Sequence, residues 1–137
     1  MEIKTYYGLN EDLVFIRKSV FMIEQGFKNE FEEFDEHCIH LVLYIDEKPA
    51  GCLRYFKEED HYVIGRVAMI RQYRHHGYAS ILMNEAHKRI KELNGNRVIL
   101  SAQCTAVPFY ASLGYHVFGN KYLDEHCPHI HMELELK

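Results

Sequence analysis

Arg74-His75-His76-Gly77-Tyr78-Ala79 stands between a strand-like run, Tyr62 to Ile70, and a helix-like run, Ala79 to Leu93. A short glycine-containing turn from strand to helix gathers free backbone N–H groups at the positive end of the helix dipole. That is a place to hold a phosphate. Gly77 lets the backbone come close to the anion, because no Cβ stands in the way. Arg74 can add a charge-assisted fork to a phosphate oxygen, or else pair with a nearby acid. R-x-x-G-x-A is a pattern that many loops satisfy, so the elements around it decide its meaning.

Before the turn, Glu2 to Tyr7 alternates as a first strand. Asn10 offers an N-cap, and Leu13, Ile16, Val20 and Ile23 fall at helical spacing up to Gly26. Residues 27 to 37, rich in Phe and acid, read as a short helix or ordered loop. Three strands follow, Ile39 to Ile45, Ala50 to Lys57 and Tyr62 to Ile70, each bounded by an acidic turn. After the turn, Leu82, Ala86, Ile90 and Leu93 line one helix face. Arg97 to Ala102 is a strand, and Thr105 to Leu113 is helical, with Pro108 tolerated in its first turn. In the last strand, Ile130, Met132, Leu134 and Leu136 alternate with His129, His131, Glu133 and Glu135. The order βα(α)βββαβαββ predicts an α/β (α+β) fold. Its sheet is mixed, of six to seven strands, with helices on both faces.

No linker, repeat or low-complexity stretch interrupts residues 1–137, so one domain is expected. With 47% hydrophobic and 26% charged residues, the chain reads as an ordinary soluble globular protein. A net charge of −4 argues against a nucleic-acid or anionic-membrane binder. No run approaches a membrane span, and Met-Glu-Ile-Lys at the start lacks the apolar core of a signal peptide. The four cysteines, at 38, 52, 104 and 127, show no CxxC spacing. Reduced thiols in the cytoplasm are therefore expected.

Three segments together resemble the GNAT superfamily of acyl-CoA N-acyltransferases. They are Gly65-Arg66-Val67-Ala68-Met69, the turn Arg74 to Ala79, and Phe109-Tyr110-Ala111-Ser112-Leu113-Gly114-Tyr115. The family pattern is Q/R-x-x-G-x-G/A in the turn and F-Y-x-x-L-G-F in the later helix. Arg17-x-x-Val20-Phe21-x-x-Glu24-Gln25, Asp35, His40, Ala102-Gln103 and Pro128-His129-Ile130-x-Met132 are similar to its ElaA-like branch. The departure is Glu125-His126-Cys127-Pro128, where that branch has acid-x-Gly-Ile-Pro.

The resemblance implies acetyl transfer from acetyl-CoA to a primary amine, on a small molecule or a peptide. Val67, Ala68 and Met69 would bind the pantetheine arm as an added strand, an Ala68 or Met69 N–H facing the oxyanion. His75, His76, Gly77, Tyr78 and Ala79 would wrap the pyrophosphate with Arg74. Gln103 stands where many relatives have an Asn on the pantetheine amide, and Phe109 lies beside Tyr110. Tyr110 is the candidate to donate a proton or a hydrogen bond to the leaving thiolate. Glu24 and His40 lie in segments that border the substrate cleft in this fold, Glu24 as general base or cation anchor and His40 as general base or orienting group. The acidic residues Glu30 to Glu36 either attract a cationic amine or form a solvated face.

His126-Cys127-x-His129-x-His131 has the look of a metal tract. No further Cys/His pair has ligand spacing, so no metal is expected. Cys104 has no activating base beside it in sequence and reads as packing, which favours direct attack by the amine. A non-catalytic acyl-CoA sensor of the same fold is the alternative. The last strand, if exposed, could pair across a homodimer.

Overall fold

The computed structural model describes all residues, 1–137. The chain runs β1 (Glu2–Tyr6), α1 (Glu11–Arg17), β2 (Ile39–Ile45), β3 (Lys48–Glu58) and β4 (His61–Met69). Then come α2 (Tyr78–Glu92), β5 (Arg97–Gln103), α3 (Val107–Ser112), β6 (His116–Asp124) and β7 (Cys127–Glu135). The strands form one mixed seven-stranded sheet in the order β1-β2-β3-β4-β5-β7-β6. Every neighbouring pair is antiparallel except β4 and β5, which the α2 crossover makes parallel. No helix is long and apolar enough to cross a membrane.

Helices cover both sheet faces, which is why successive residues of β2 are buried rather than alternating with exposed ones. Leu41 and Leu43 enter a core with Leu53, Ile64 and, from α2, Leu82, Met83 and Ile90. The intervening Val42 and Tyr44 enter a second core with Leu13 and Ile16 of α1, and Val20 and Phe21 beyond it. Asn10 caps α1 as expected, its Oδ1 accepting from the Leu13 N–H at 2.9 Å.

The first helix departs from its α-helical reading at Lys18, where it continues as a π-helix to Glu24. The Gln25 N–H donates to the Val20 carbonyl at 3.1 Å, a five-residue step that widens the turn. The widened turn rotates Ile23 outward, leaving it 79% exposed, while Val20 and Phe21 stay inside. The last strand also differs from expectation. It is inserted between β5 and β6 and has no free edge; the outer strands are β1 and β6.

The acidic stretch is divided: Glu30 and Asp35 are buried against arginines, while Glu32, Glu33 and Glu36 stay exposed to solvent. Arg17, wholly buried, donates Nε to Glu30 at 2.7 Å and Nη1 to Asp35 at 2.8 Å. Arg54 of β3 donates to Asp35 and Glu32, both at 2.7 Å. Arg66 of β4 lies 3.1 Å from Glu30. Glu32 and Asp35 close a reciprocal capping box on the short 3-10 helix Glu33–His37. This network ties α1, the 27–37 segment, β3 and β4 into one body.

Burial pushes the Asp35 carboxyl up, but bonds from Arg17, the Glu32 backbone and Arg54 outweigh it and hold it down at about 2. A native carboxyl held below its unfolded value contributes stability at neutral pH. That contribution is lost as pH falls from about 4 towards the folded value. Arg17→Met, which takes from the buried Glu30 and Asp35 one of the two arginines each of them has, is expected to cost about 3 kcal/mol in urea unfolding. Asp35→Asn should flatten the loss of stability between pH 4 and about 2 that the native chain shows.

Candidate active site

The site follows from the parting of β4 and β5. Only Tyr62↔Val98 and Val63↔Ile99 pair across them. Beyond Val63, β4 keeps its bonds to β3 while β5 stays with β7. A break in the β3–β4 register lies where Arg66 takes φ 50°, a bulge that adds twist and turns β4 away from its parallel neighbour. The wedge between them is a cleft of about 410 Å³. One wall is Val63 to Met69 of β4, the other Leu100, Ser101 and Gln103, with Phe21 and Gln25 from the first helix. The β4 edge on this side has no strand partner, so it can accept an extended one.

The cleft runs from β4 to the turn. Gly77 sits at φ 80°, and a Cβ there would meet nothing within 4 Å, so the surface over it is open. The backbone N–H groups from His75 through Ser80 have no protein acceptor. They gather at the start of a 15-residue helix, whose dipole adds positive potential. Val67, Ala68, Met69, Arg74, Ala79, Gln103, Phe109 and Tyr110, all expected at a cofactor site, line the cleft. His75, His76, Gly77 and Tyr78 form the turn between two of its lining residues, Arg74 and Ala79.

Arg74 and Glu24, assigned separate roles from sequence, meet each other. Arg74 donates Nε to the Met69 carbonyl at 2.9 Å and both terminal nitrogens to Glu24, at 2.7 and 2.8 Å. Arg71 adds a third donor at 3.2 Å. The hydrogen bond from Arg74, more than any other influence, draws the Glu24 carboxyl down to about 2. A carboxylate so held is a poor proton acceptor, and Glu24 does not line the cleft. His40 is likewise removed. It is wholly buried in β2, its Nε2 donates to the Asp35 carbonyl at 2.9 Å, and burial lowers its pKa.

Tyr110 does reach the cleft, and its neighbour shows why it differs. Tyr115, packed against it with ring centroids 6.0 Å apart, pairs its hydroxyl with His87 Nε2 at 2.6 Å. The Tyr110 hydroxyl has no protein partner and faces the cleft. Burial pushes its phenol up, keeping it a neutral O–H donor. Gln103 donates to the Gln25 side chain at 2.7 Å, leaving its own oxygen free to accept.

Sequence reasoning missed Phe21, Gln25, Arg66, Asp124 and His129, which also line the cleft. Arg66, Asp124, Phe21 and Gln103 continue into a second, polar recess of about 290 Å³, completed by Phe27, Asn29, Glu30 and Glu32. The histidine tract does not converge. His126 packs on Phe27 while His129 and His131 stack on Tyr122, and no three potential ligands come together.

Residues 12–136 match the acetyltransferase (GNAT) domain family, and the chain belongs to it. An uncharacterised N-acetyltransferase of Bacillus subtilis (strain 168), YjcF, is 32% identical over 125 residues, covering 89% of each chain. An acyl-CoA N-acyltransferase from Pseudomonas aeruginosa superposes with a TM-score of 0.86 at 27% identity, over 96% of this chain and 97% of that one. Escherichia coli ElaA gives 0.85 at 23% identity over the same shares, a likeness of fold. A Bacillus subtilis acetyltransferase solved with CoA gives 0.77 at 14% identity, over 99% of each chain.

Replacing Arg74 by Ala should release Glu24. Its carboxyl, held at about 2 in the native chain, should climb towards the ordinary glutamate value of about 4.3 in a carbon-13 NMR titration. An unchanged midpoint would mean that Arg71 alone suffices.

Proposed function

We propose that the chain is an acetyl-CoA-dependent N-acetyltransferase that moves the acetyl group to a primary amine by direct attack. The unpartnered β4 edge carries this reading, because it leads straight into the run of free N–H groups from His75 to Ser80. An extended amide-bearing arm ending in a diphosphate fits that sequence of surfaces. Its amides meet β4, and its phosphates meet the turn, where the open face of Gly77 admits them.

Within that frame each residue has a limited task. Successive N–H groups point to opposite strand edges, so one of the Ala68 and Met69 N–H groups, the one turned away from β3, would stabilise the oxyanion formed when the amine adds to the thioester carbonyl. The amine nitrogen bonds to the acetyl carbon, the carbon–sulfur bond breaks, and negative charge moves to sulfur. Tyr110 would meet that charge with its O–H. Because burial raises its pKa, complete transfer to a thiolate of ordinary pKa is uphill; a charge-assisted hydrogen bond stabilises the leaving group without it. The polar recess beside the cleft suits the acceptor, since its Asn29, Glu32 and Asp124 offer hydrogen bonds to a polar amine.

A covalent acetyl-enzyme finds no support among the four free cysteines. Cys38, Cys52 and Cys127 donate to the backbone carbonyls of Phe34, Arg66 and Pro128, and no thiol is hydrogen-bonded to an imidazole.

Acetyl-CoA mixed with a broad library of primary amines should release free thiol with at least one of them; tight binding without release would leave a sensor of the same fold. Tyr110→Phe should lower kcat about 10–100-fold, the value of a charge-assisted bond, with CoA affinity unchanged in calorimetry. Gly77→Val should weaken CoA binding at least tenfold, since it places a branched side chain over the turn at a positive φ.

A further inference from the structure

We propose that His129 is the general base of this transfer, accepting at Nε2 the proton of the acceptor's ammonium group; the inference rests on the acetyltransferase reading above. His129 is only 7% exposed, yet it lines the cleft together with Ala68, Met69 and Tyr110. Its ring is held on three sides. Tyr122 of β6 stacks on it with centroids 6.0 Å apart, and Phe27 meets it edge-on at 6.4 Å. Nδ1 lies 2.9 Å from the Cys127 carbonyl.

That last contact fixes the tautomer. A carbonyl oxygen only accepts, so Nδ1 carries the hydrogen, and a neutral ring then presents its lone pair at Nε2. No protein donor pairs with Nε2, and it is not sealed from the cleft as the orphaned Nδ1 of His40 is. A nearly buried imidazole with one nitrogen anchored and the other open to a reaction cleft is the arrangement a base requires.

The competing groups are engaged elsewhere. Glu24 is fastened by Arg71 and Arg74, Glu30 by Arg17 and Arg66, and Glu32 by Arg54. Asp124, the one carboxylate that lines the cleft, has no ion-pair partner, unlike Glu30 and Glu32 of the adjoining recess. It lies at the far end of the β6–β7 pairing, where Asp124↔Cys127 and Tyr122↔His129 are registered, on the border of cleft and recess. A carboxylate lies further than an imidazole below an alkylammonium in proton affinity, so the imidazole is the more effective acceptor. Asp124 is better suited to attract the ammonium group towards it.

The proton balance is complete. The ammonium gives one proton to Nε2, making an imidazolium whose Nδ1–H still rests on the Cys127 carbonyl. The free amine attacks the thioester carbon, the nitrogen–carbon bond forms and the carbon–sulfur bond breaks. The second nitrogen proton passes to the departing sulfur, beside the Tyr110 hydroxyl. His129 then returns its proton to solvent.

His129→Asn is the informative variant, because an Asn amide can still donate to the Cys127 carbonyl but offers no basic nitrogen. Calorimetry with CoA, within twofold of the native chain, reports that the fold and cofactor groove survive. With the alkylamine that the native protein acetylates best, kcat/KM should fall about 100-fold. With an analogue fluorinated beside the nitrogen, unprotonated at neutral pH, the same variant should lose less than fivefold, and free imidazole should restore part of the alkylamine rate. A purely structural role would depress both amines alike. Nitrogen-15 NMR of the native protein should show the hydrogen on Nδ1 of His129.

A loss under fivefold with the alkylamine, equal losses with both amines, or an Nε2–H tautomer overturns the proposal. So does a hundredfold loss in Asp124→Asn alongside a nearly intact His129→Asn. If the native protein releases thiol with no amine, acetyl transfer itself falls, and the role of His129 falls with it.

Discussion

Two strands that agree to pair for only two residues and then separate create the working surface of this protein. Had β4 and β5 stayed in register, their edge groups would have satisfied each other and the sheet would have closed over. Instead β4 is bent by the bulge at Arg66 while β5 follows β7, and the backbone between Ile64 and Met69 is left facing a cleft. An unpartnered edge is normally a hazard in a β protein. Here it is recessed between two elements and shielded by the first helix, so another protein's strand has no simple approach. A single extended chain does.

Keeping that wedge open requires support from behind, and the arginine–carboxylate network supplies it. Arg17 lies at the junction where the α-helix gives way to the π-helix that carries Phe21 and Gln25 into the cleft. Arg66 belongs to the bulge itself. Both reach Glu30. The two features that shape the cleft, the widened helix and the bent strand, are thus fastened to one buried carboxylate. Buried ion pairs rarely add net stability over a packed apolar core, but breaking one is costly. Their effect here is to fix how the helix sits over the sheet.

Most of the fold was legible in the sequence because its signals are local. Alternation, helical spacing, Asn10 as a cap and the acidic turns place nearly every strand and helix within a residue or two. What could not be read depends on distant pairing. Helical spacing placed Ile23 inside, but a π turn is set by packing against the sheet, not by the side chain of Ile23. The last strand could be recognised as a strand, but not as one inserted beside β5, so His129 carried no sign of facing the cleft. The turn and Tyr110 were visible because short motifs hold them. Glu24 and His40 misled because their segments border the site in the sequence pattern, while their side chains are committed to Arg74 and to the Asp35 carbonyl.

The pairing of Arg74 with Glu24 also bears on where cofactor affinity arises. For its fork to reach a phosphate, Arg74 must leave a bidentate carboxylate, exchanging one charge-assisted pair for another of similar strength. The net gain from that exchange is small, and Glu24 would be left with Arg71 alone. The N–H groups from His75 to Ser80 face no such exchange, since they have no protein acceptor to give up. On the proposed reading, binding energy at the turn would therefore come chiefly from the backbone and the helix dipole. Gly77, a residue without a side chain, would then matter more to cofactor binding than Arg74. The arginine instead joins the first helix to the turn, and through Glu24 it holds the π-helix at the rim of the cleft.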